Sequence, residues 1–195
     1  MVSFSAKSVW EACRHRNSFQ PWYSVVWSSQ GMPRWSFIMW LAVLGILSTK
    51  DRLVNWGLVV PPLCSFCLTD TESHSYLFFD CQFSSLVWKQ VLTRNGIARP
   101  IEPLAQELDW AVHHRKGKNL RDSLYKLSLA ASIYTLWGKR NMRIFQGKSR
   151  NEGAIALDIF NSVRTKVIFS FGFGVLVIVW PFDALVVLVT RGMPL

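Results

Sequence analysis

The 195-residue sequence is poor in cysteine, in glycine and proline, and in acidic side chains. Four cysteines are too few for the disulfide framework of a small secreted domain. Glycine and proline, at 11 and 8 residues, exclude a linker-like or collagenous chain. Because 50% of the residues are hydrophobic and only 17% are charged, intrinsic disorder is excluded as well. This length fits one domain, or one domain with a long tail.

The sequence also lacks the signatures of common catalytic sites. It contains no Tyr-x-Asp-Asp, no aspartates with two-metal spacing, no glycine-rich phosphate loop and no Gly-x-Ser-x-Gly. The tandem pair His113 and His114 would face different sides of a helix, which is typical of a solvated surface. We therefore expect a protein that is not an enzyme and that has no small-molecule substrate.

Residues 1–16 are polar and basic, without the apolar segment of a secretory signal. We therefore expect an intracellular protein, in the nucleus or the cytoplasm. Cysteines stay reduced there, and clustered cysteines bind metal or catalyse more often than they cross-link.

Three cysteines fall within one short segment that also holds a histidine. Cys64, Cys67, His74 and Cys81 have the spacing C-x2-C-x6-H-x6-C. A CxxC turn brings two thiolates to the separation that a tetrahedral zinc ion requires, and four protein ligands make a closed, structural site. The pattern therefore predicts structural zinc. Two other interpretations fit a CxxC pair, namely a redox-active turn and ordinary buried cysteines.

Hydrophobic spacing predicts a mainly α fold, a small helical domain with a zinc-knuckle-like CxxC...H...C insert and a hydrophobic C-terminal tail. The longest helix is expected to begin after Asn119 as its N-cap. Strand-like alternation is weak before the tail. The expected helices cover 5–13, Ser36–Leu47 with Pro33 in its first turn, a short helix capped by Ser48 and ended by Gly57, Ser84–Asn95, Leu104–His114, Leu120–Phe145 and Ala154–Lys166.

Around the cysteines, the chain resembles the zinc-binding domain that follows the reverse transcriptase in plant LINE-type (non-LTR) retrotransposons. The resemblance covers residues 4–146 and extends more weakly to 166. It implies a non-enzymatic zinc-binding module derived from a polyprotein that handles RNA and DNA. The matching stretches are FSAKSVWEACRHR at 4–16, PRWSFIMWLAVLGILSTKDRLVNWGLV at 33–59, CSFC at 64–67, ESHSYLFFDCQFSSLVWKQVL at 72–92 and LYKLSLAASIYTLWGKRNMRIFQ at 124–146.

The chain departs from the family pattern at one position. The family histidine stands five residues before the last cysteine, where this sequence has Tyr76. The resemblance thus implies Cys64, Cys67 and Cys81 as ligands and leaves the fourth open. A tyrosine must ionise from a pKa near 10 to bind zinc, so His74 is the expected substitute. That requires a break before Cys81, because a continuous helix would separate His74 from Cys81 by about 10 Å.

Together these features divide the chain into five regions. They are 1–32, an N-terminal helix and Trp-rich segment; 33–96, the region like the reverse-transcriptase zinc-binding domain; 97–119, a linker and short helix; 120–166, the C-terminal helices; and 167–195, the hydrophobic tail.

Five basic residues lie at and beyond the end of the longest predicted helix. With Trp137 and Phe145 they could hold single-stranded RNA or DNA by phosphate contacts and base stacking, in keeping with the net charge of +10. The alternative is structural, because basic side chains favour helix C-termini and the aromatics fit the core spacing. The five are Lys139, Arg140, Arg143, Lys148 and Arg150.

The longest hydrophobic run covers residues 167–190, with Asp183 as its one charge. About 20 apolar residues cross a bilayer as a helix, and the basic residues before the run would keep the body in the cytoplasm. This gives an alternative function, a tail-anchored membrane protein whose body is a decayed copy of the domain. Two other interpretations are a β-hairpin turning at 181–183 and appended out-of-frame or intronic sequence.

Overall fold

The computed structural model describes residues 20–171, 175–179 and 185–189. The predicted mainly α class is confirmed. The predicted helix at 5–13, which includes Cys13, lies outside the described residues. The described helices are α1 (Tyr23–Val26), α2 (Pro33–Val43), α3 (Lys50–Asn55), α4 (Gln82–Arg94), α5 (Leu104–His114), α6 (Leu120–Gln146) and α7 (Glu152–Phe171).

Helix α6 lies at the centre of the fold, in contact with α1, α2, α4 and α7. Asn119 caps it as predicted, because its side chain accepts a hydrogen bond from the Asp122 N–H at 2.8 Å. Gly147 ends it in the left-handed conformation, with φ of 64°. Its first half is buried on all sides, although the sequence spacing predicted a single apolar stripe. Tertiary packing explains this difference, since helices cover α6 from several directions.

Helix α7 packs on α4 and α6 through residues spaced four apart, Ile155, Ile159, Val163 and Val167. Its predicted boundary at Lys166 is wrong, because the helix continues to Phe171. Val167 belongs to the core, where it is only 1% exposed, and not to the tail as predicted. The spacing of its apolar residues continues past the predicted end, which is why the helix does too.

The tail beyond α7 forms two antiparallel strands, β1 (Val175–Val179) and β2 (Leu185–Val189), with Val175 paired to Val189. The prediction of one membrane-spanning helix over 167–190 is therefore wrong, and the hairpin interpretation describes the backbone. Within the described ranges, no helix has both the length and the apolar character needed to cross a bilayer. The predicted turn at 181–183 lies outside the described residues.

Helix α2 begins at Pro33 in its first turn, as predicted, but ends at Val43 instead of Leu47. The chain leaves it through Gly45, whose φ of 66° is left-handed. We expected a fully buried helix, yet only one face is buried and Phe37 is 49% exposed. The next helix, α3, has Thr49 rather than the predicted Ser48 as N-cap, and Gly57 follows it with a left-handed φ of 83°.

Helix α4 carries the side chains that connect the cysteine segment to the core. Val87, Trp88 and Val91 are buried as expected, whereas Leu86, also expected to be inward, is 42% exposed. Helix α5 has its predicted bounds, and the exposed surface predicted for its two terminal histidines is found. The short helix predicted within 97–119 thus contributes Leu108 to the core.

Candidate metal centre

The first two cysteines lie in a tight turn closed at its base. An isolated antiparallel bridge joins Leu63 to Thr71, and the Cys64 N–H donates to the Asp70 carbonyl at 2.7 Å. Within the turn, the Leu68 N–H donates to the Cys64 carbonyl at 3.0 Å. Leu68 takes a left-handed φ of 59°, which lets the chain reverse directly after Cys67. The turn therefore presents both sulfurs to the same side.

A kinked turn over Tyr76–Asp80 delivers the third cysteine. Phe78 leaves helical geometry, and Phe79 takes a left-handed φ of 81°. Phe79 is held there by stacking on Trp88, with ring centroids 5.3 Å apart, and by an N–H donated to Ser84 Oγ at 3.1 Å. The helical geometry is thus interrupted before Cys81, which is the break that the zinc interpretation required. Cys81 then becomes the N-cap of α4.

The three sulfurs converge, with all ligand atoms of Cys64, Cys67 and Cys81 within 4.8 Å of one another. The Cys64 and Cys81 Sγ atoms are 3.8 Å apart. Zinc–sulfur bonds of about 2.3 Å at tetrahedral angles give a ligand spacing of about 3.8 Å, so these residues fit a zinc ion. The hydrogen bond that Cys64 donates to Cys81 and burial raise the pKa of the Cys64 thiol, and the Phe66 N–H, which donates to Cys64 Sγ at 3.4 Å, opposes this rise.

Electrostatics favours thiolates at the other two cysteines. The hydrogen bond from Cys64 lowers the pKa of the Cys81 thiol; burial opposes this, and N–H groups at the start of α4 add to the lowering. Burial would raise the pKa of the Cys67 thiol, but hydrogen bonds from the Thr69 hydroxyl and from the backbone N–H groups of Thr69 and Asp70 help to outweigh it, and the pKa is lowered. Metals bind cysteine as thiolate, so both shifts prepare the sulfurs for a cation.

The structure does not bring His74 to the cysteines, so the expectation that it replaces the family histidine is wrong. Its ring packs edge-on against Phe78, with centroids 5.5 Å apart, and it lines a cavity with Trp22 and Val43. Burial lowers the pKa of this imidazole. The cause is local, since residues two apart on a helical turn point to nearly opposite sides, and Tyr76 faces the cysteines.

Tyr76 places its hydroxyl beside the metal centre. The Oη atom lies 3.3 Å from Cys67 Sγ and donates to Asp70 Oδ2 at 3.0 Å. The Ser73 side chain fixes the start of this turn by accepting from the Tyr76 N–H at 3.1 Å. The residue at the family histidine position thus still contacts the cysteines, although its side chain differs.

Glu72 organises the cysteine turn from inside the protein. Its fully buried carboxylate accepts from the Ser65 N–H and Oγ, at 3.1 and 2.8 Å, and from the Lys50 N–H at 3.2 Å. Burial would raise the pKa of Glu72, but Arg140 and the Ser65 donors outweigh it and lower the pKa. Sequence reasoning missed Glu72, because a single glutamate without periodic partners gives no signal.

Two of the five predicted nucleic-acid contacts serve the fold instead. Arg140 is 3% exposed, and its Nη2 lies 2.6 Å from Glu72 Oε1. Arg143 donates to the carbonyls of Ser65 and Phe66, at 3.2 and 3.0 Å, and lies over the Phe83 ring at 4.6 Å. The prediction of nucleic-acid contact is wrong for this pair, because both guanidinium groups already bind within the protein. Arg140 pairs with Glu72, and Arg143 donates to the cysteine turn.

The other three basic residues lie nearer the surface. Lys139 and Arg150 form ion pairs with Asp158, at 3.2 and 2.5 Å. Lys148 is exposed, and so is Phe145 at 78%. The basic surface that remains is smaller than the sequence pattern predicted.

Comparison with known families agrees with this geometry. Residues 4–88 match the family model described as zinc-binding in reverse transcriptase. The predicted resemblance to this family is thus confirmed over this stretch. The matched family is an accessory domain, distinct from the catalytic domain of the polymerase. No curated protein and no solved structure matches the chain.

The matched stretch covers only part of the described fold. The match ends at Trp88, inside α4, whereas the core continues through α7. The side chains that brace the cysteine turn, Arg140 and Arg143, come from α6, beyond the match. The cysteine turn is therefore braced by a helix that lies beyond the matched residues.

Proposed function

We propose that the protein is a non-enzymatic structural zinc module derived from a retrotransposon polyprotein of the plant LINE type. The observation that carries the proposal is the convergence of Cys64, Cys67 and Cys81 within 4.8 Å inside the matched region. Bound zinc would cross-link the CxxC turn to the start of α4. Such a cross-link would add to the hydrogen bonds that already hold this loop.

Metal analysis of the full chain tests this proposal. We expect one zinc per chain after purification without added metal. Cys64→Ser and Cys81→Ser should each lose zinc, because serine replaces a thiolate by a far weaker ligand. Cys13→Ser is the matched control, since it removes the remaining cysteine of the sequence and should retain zinc. Zinc below one tenth of an equivalent in the unmodified chain would refute the proposal.

We further propose that the module contacts RNA or DNA in the nucleus or the cytoplasm. Support comes from the exposed Lys148 and Phe145, together with Arg150 and the net charge of +10. Cations bind phosphates and an exposed ring stacks on a base. The loop between α5 and α6 offers a competing basic surface through exposed Lys116 and Lys118, which the sequence pattern did not single out.

Binding to single-stranded RNA as a function of salt separates the two surfaces. Each lost phosphate contact should reduce the slope of log affinity against log salt by about 0.7. We expect this reduction for Lys148→Ala and an unchanged slope for Lys118→Ala. The reverse pattern would place the contact on the α5–α6 loop, and no salt-dependent binding would refute nucleic-acid contact. The proposed retrotransposon origin is tested separately, by the genomic sequence upstream of the codon for Met1. We expect that sequence to contain a polymerase reading frame.

A further inference from the structure

We propose that the C-terminal hairpin is an interface between two copies of this chain, formed when their β2 strands pair antiparallel, edge to edge. The proposal goes beyond the zinc function and does not depend on it. Its basis is the open outer edge of β2 (Leu185–Val189), together with the opposite charges that flank this strand in the sequence, Asp183 and Arg191.

The two strands are apolar throughout. Every residue of β1 (VLVIV) and of β2 (LVVLV) is valine, leucine or isoleucine. Because successive residues of a strand belong to opposite faces of the sheet, both faces of this hairpin are apolar. A hairpin of two strands is at best marginally stable in water by itself, and further strands with an apolar face stabilise it. The hairpin therefore gains most by extending its sheet.

The outer edge of β2 offers the place for a further strand. Within the described part of the chain, the sheet consists of β1 and β2, so each strand pairs along one edge and leaves the other open. Of the two, β1 follows directly on α7 and contacts that helix. An open edge presents unpaired N–H and C=O groups, which a strand of another chain can satisfy. The sequence of β2 has no lysine, proline or glycine that would oppose such pairing.

The charges on either side of β2 select the direction of pairing. Asp183 stands two residues before the strand and Arg191 two residues after it, so Val187 lies midway between them in the sequence. Both charges are read from the sequence, since they lie outside the described residues. The register of an antiparallel pair centred on Val187 sets position 183 of each copy opposite position 191 of the other. A parallel pair would bring like charges together, which is destabilising.

Antiparallel pairing of two identical strands also closes the assembly. Such a pair has two-fold symmetry, in which the same surface of both copies is used, so it forms a dimer. A second copy fits this edge better than a lipid bilayer does, because in hydrocarbon the open N–H and C=O groups of β2 would lack partners. Binding to lipid is therefore an opposing outcome of the experiment.

Sedimentation equilibrium of the full chain over a range of concentrations tests the interface. We expect a reversible equilibrium between monomer and dimer. Asp183→Arg and Arg191→Asp should each weaken the dimer about tenfold or more, because two-fold symmetry turns one substitution into two like-charge contacts. The double variant Asp183→Arg/Arg191→Asp has opposite charges at both ends again and should dimerise like the wild type.

Lys118→Asp is the matched control. It changes the net charge by as much as Arg191→Asp does, at an exposed position of the α5–α6 loop, and should leave the dimer unchanged. Weakening of the dimer by this control to the same extent would mean that net charge, and not the β2 edge, governs association, and would overturn the proposal.

Several other results would also overturn it. A chain that stays monomeric at every concentration has no such interface. A dimer that the single charge reversals leave intact, or that the double reversal fails to restore, is not built on antiparallel β2 strands. Monomeric protein that floats with phosphatidylcholine vesicles would assign the hairpin to lipid. Because restoration is measured in the doubly substituted chain, misfolding of a single variant cannot imitate the expected pattern.

Discussion

Arg140 on α6 donates from Nε and Nη2 to one oxygen of Glu72, at 3.0 and 2.6 Å, across 68 residues of sequence. Both side chains are buried, at 3% and 0% exposure. The other carboxylate oxygen of Glu72 accepts from Ser65, next to Cys64. This ion pair therefore links the central helix of the fold to the cysteine turn, in addition to the Arg143 hydrogen bonds.

Removing one partner of this ion pair should destabilise the protein strongly. Glu72→Gln keeps the side-chain volume but leaves the Arg140 charge buried without its counter-ion, so the free energy of unfolding should fall by about 3–5 kcal/mol. Urea denaturation measures the change. The matched control is Arg150→Ala, which breaks the exposed pair with Asp158 and should cost at most about 1 kcal/mol. Equal effects of the two substitutions would contradict the bracing role.

The same carboxylate should make stability depend on acid pH. The folded-state pKa of Glu72 is lowered, whereas an unfolded glutamate titrates near 4.3. Its contribution is therefore complete above about pH 4.3 and is lost as the pH falls through the folded pKa. Denaturation of metal-free protein at several pH values should show that the difference in free energy of unfolding between wild type and Glu72→Gln decreases on acidification. A difference in free energy of unfolding that does not change with pH would argue against the ion pair.

Substitution by glycine should have opposite effects on stability at the two residues, Leu68 and Phe79, that have a left-handed φ. Leu68 is 66% exposed, so Leu68→Gly mainly relieves backbone strain and should stabilise the protein by about 0.5–1 kcal/mol. Phe79 is 3% exposed and stacks on Trp88, so Phe79→Gly should destabilise by about 3 kcal/mol or more. Thermal unfolding of both variants distinguishes strain from packing, and stabilisation by Phe79→Gly would be inconsistent with this core.

The end of α7 can be located by truncation. A chain ending at Phe171 should be more stable than one ending at Lys166 by about 1.5–3 kcal/mol, because only the longer chain keeps the buried Val167. Circular dichroism should show cooperative helical melting for the longer chain. Equal melting of the two truncations would mean that the helix contributes nothing beyond Lys166.

Arg143 should behave as a structural residue. Arg143→Ala removes two hydrogen bonds to the cysteine turn and the contact with the Phe83 ring, which should lower the free energy of unfolding by about 2 kcal/mol. Lys148→Ala, at an exposed position of the same basic segment, should leave stability unchanged within about 0.5 kcal/mol. Chemical denaturation of both variants provides the comparison.

The sequence by itself determined the helical class, the cap at Asn119, the bounds of α5 and the cysteines that meet. These features depend on local spacing and capping, which the chain carries wherever it folds. Only the tertiary structure decided that the first half of α6 is buried on all sides, that Arg140 pairs with Glu72, and that Tyr76 faces the cysteines while His74 does not. Each depends on residues far apart in sequence or on the kink at Phe79, whose left-handed backbone is held by Trp88 and Ser84.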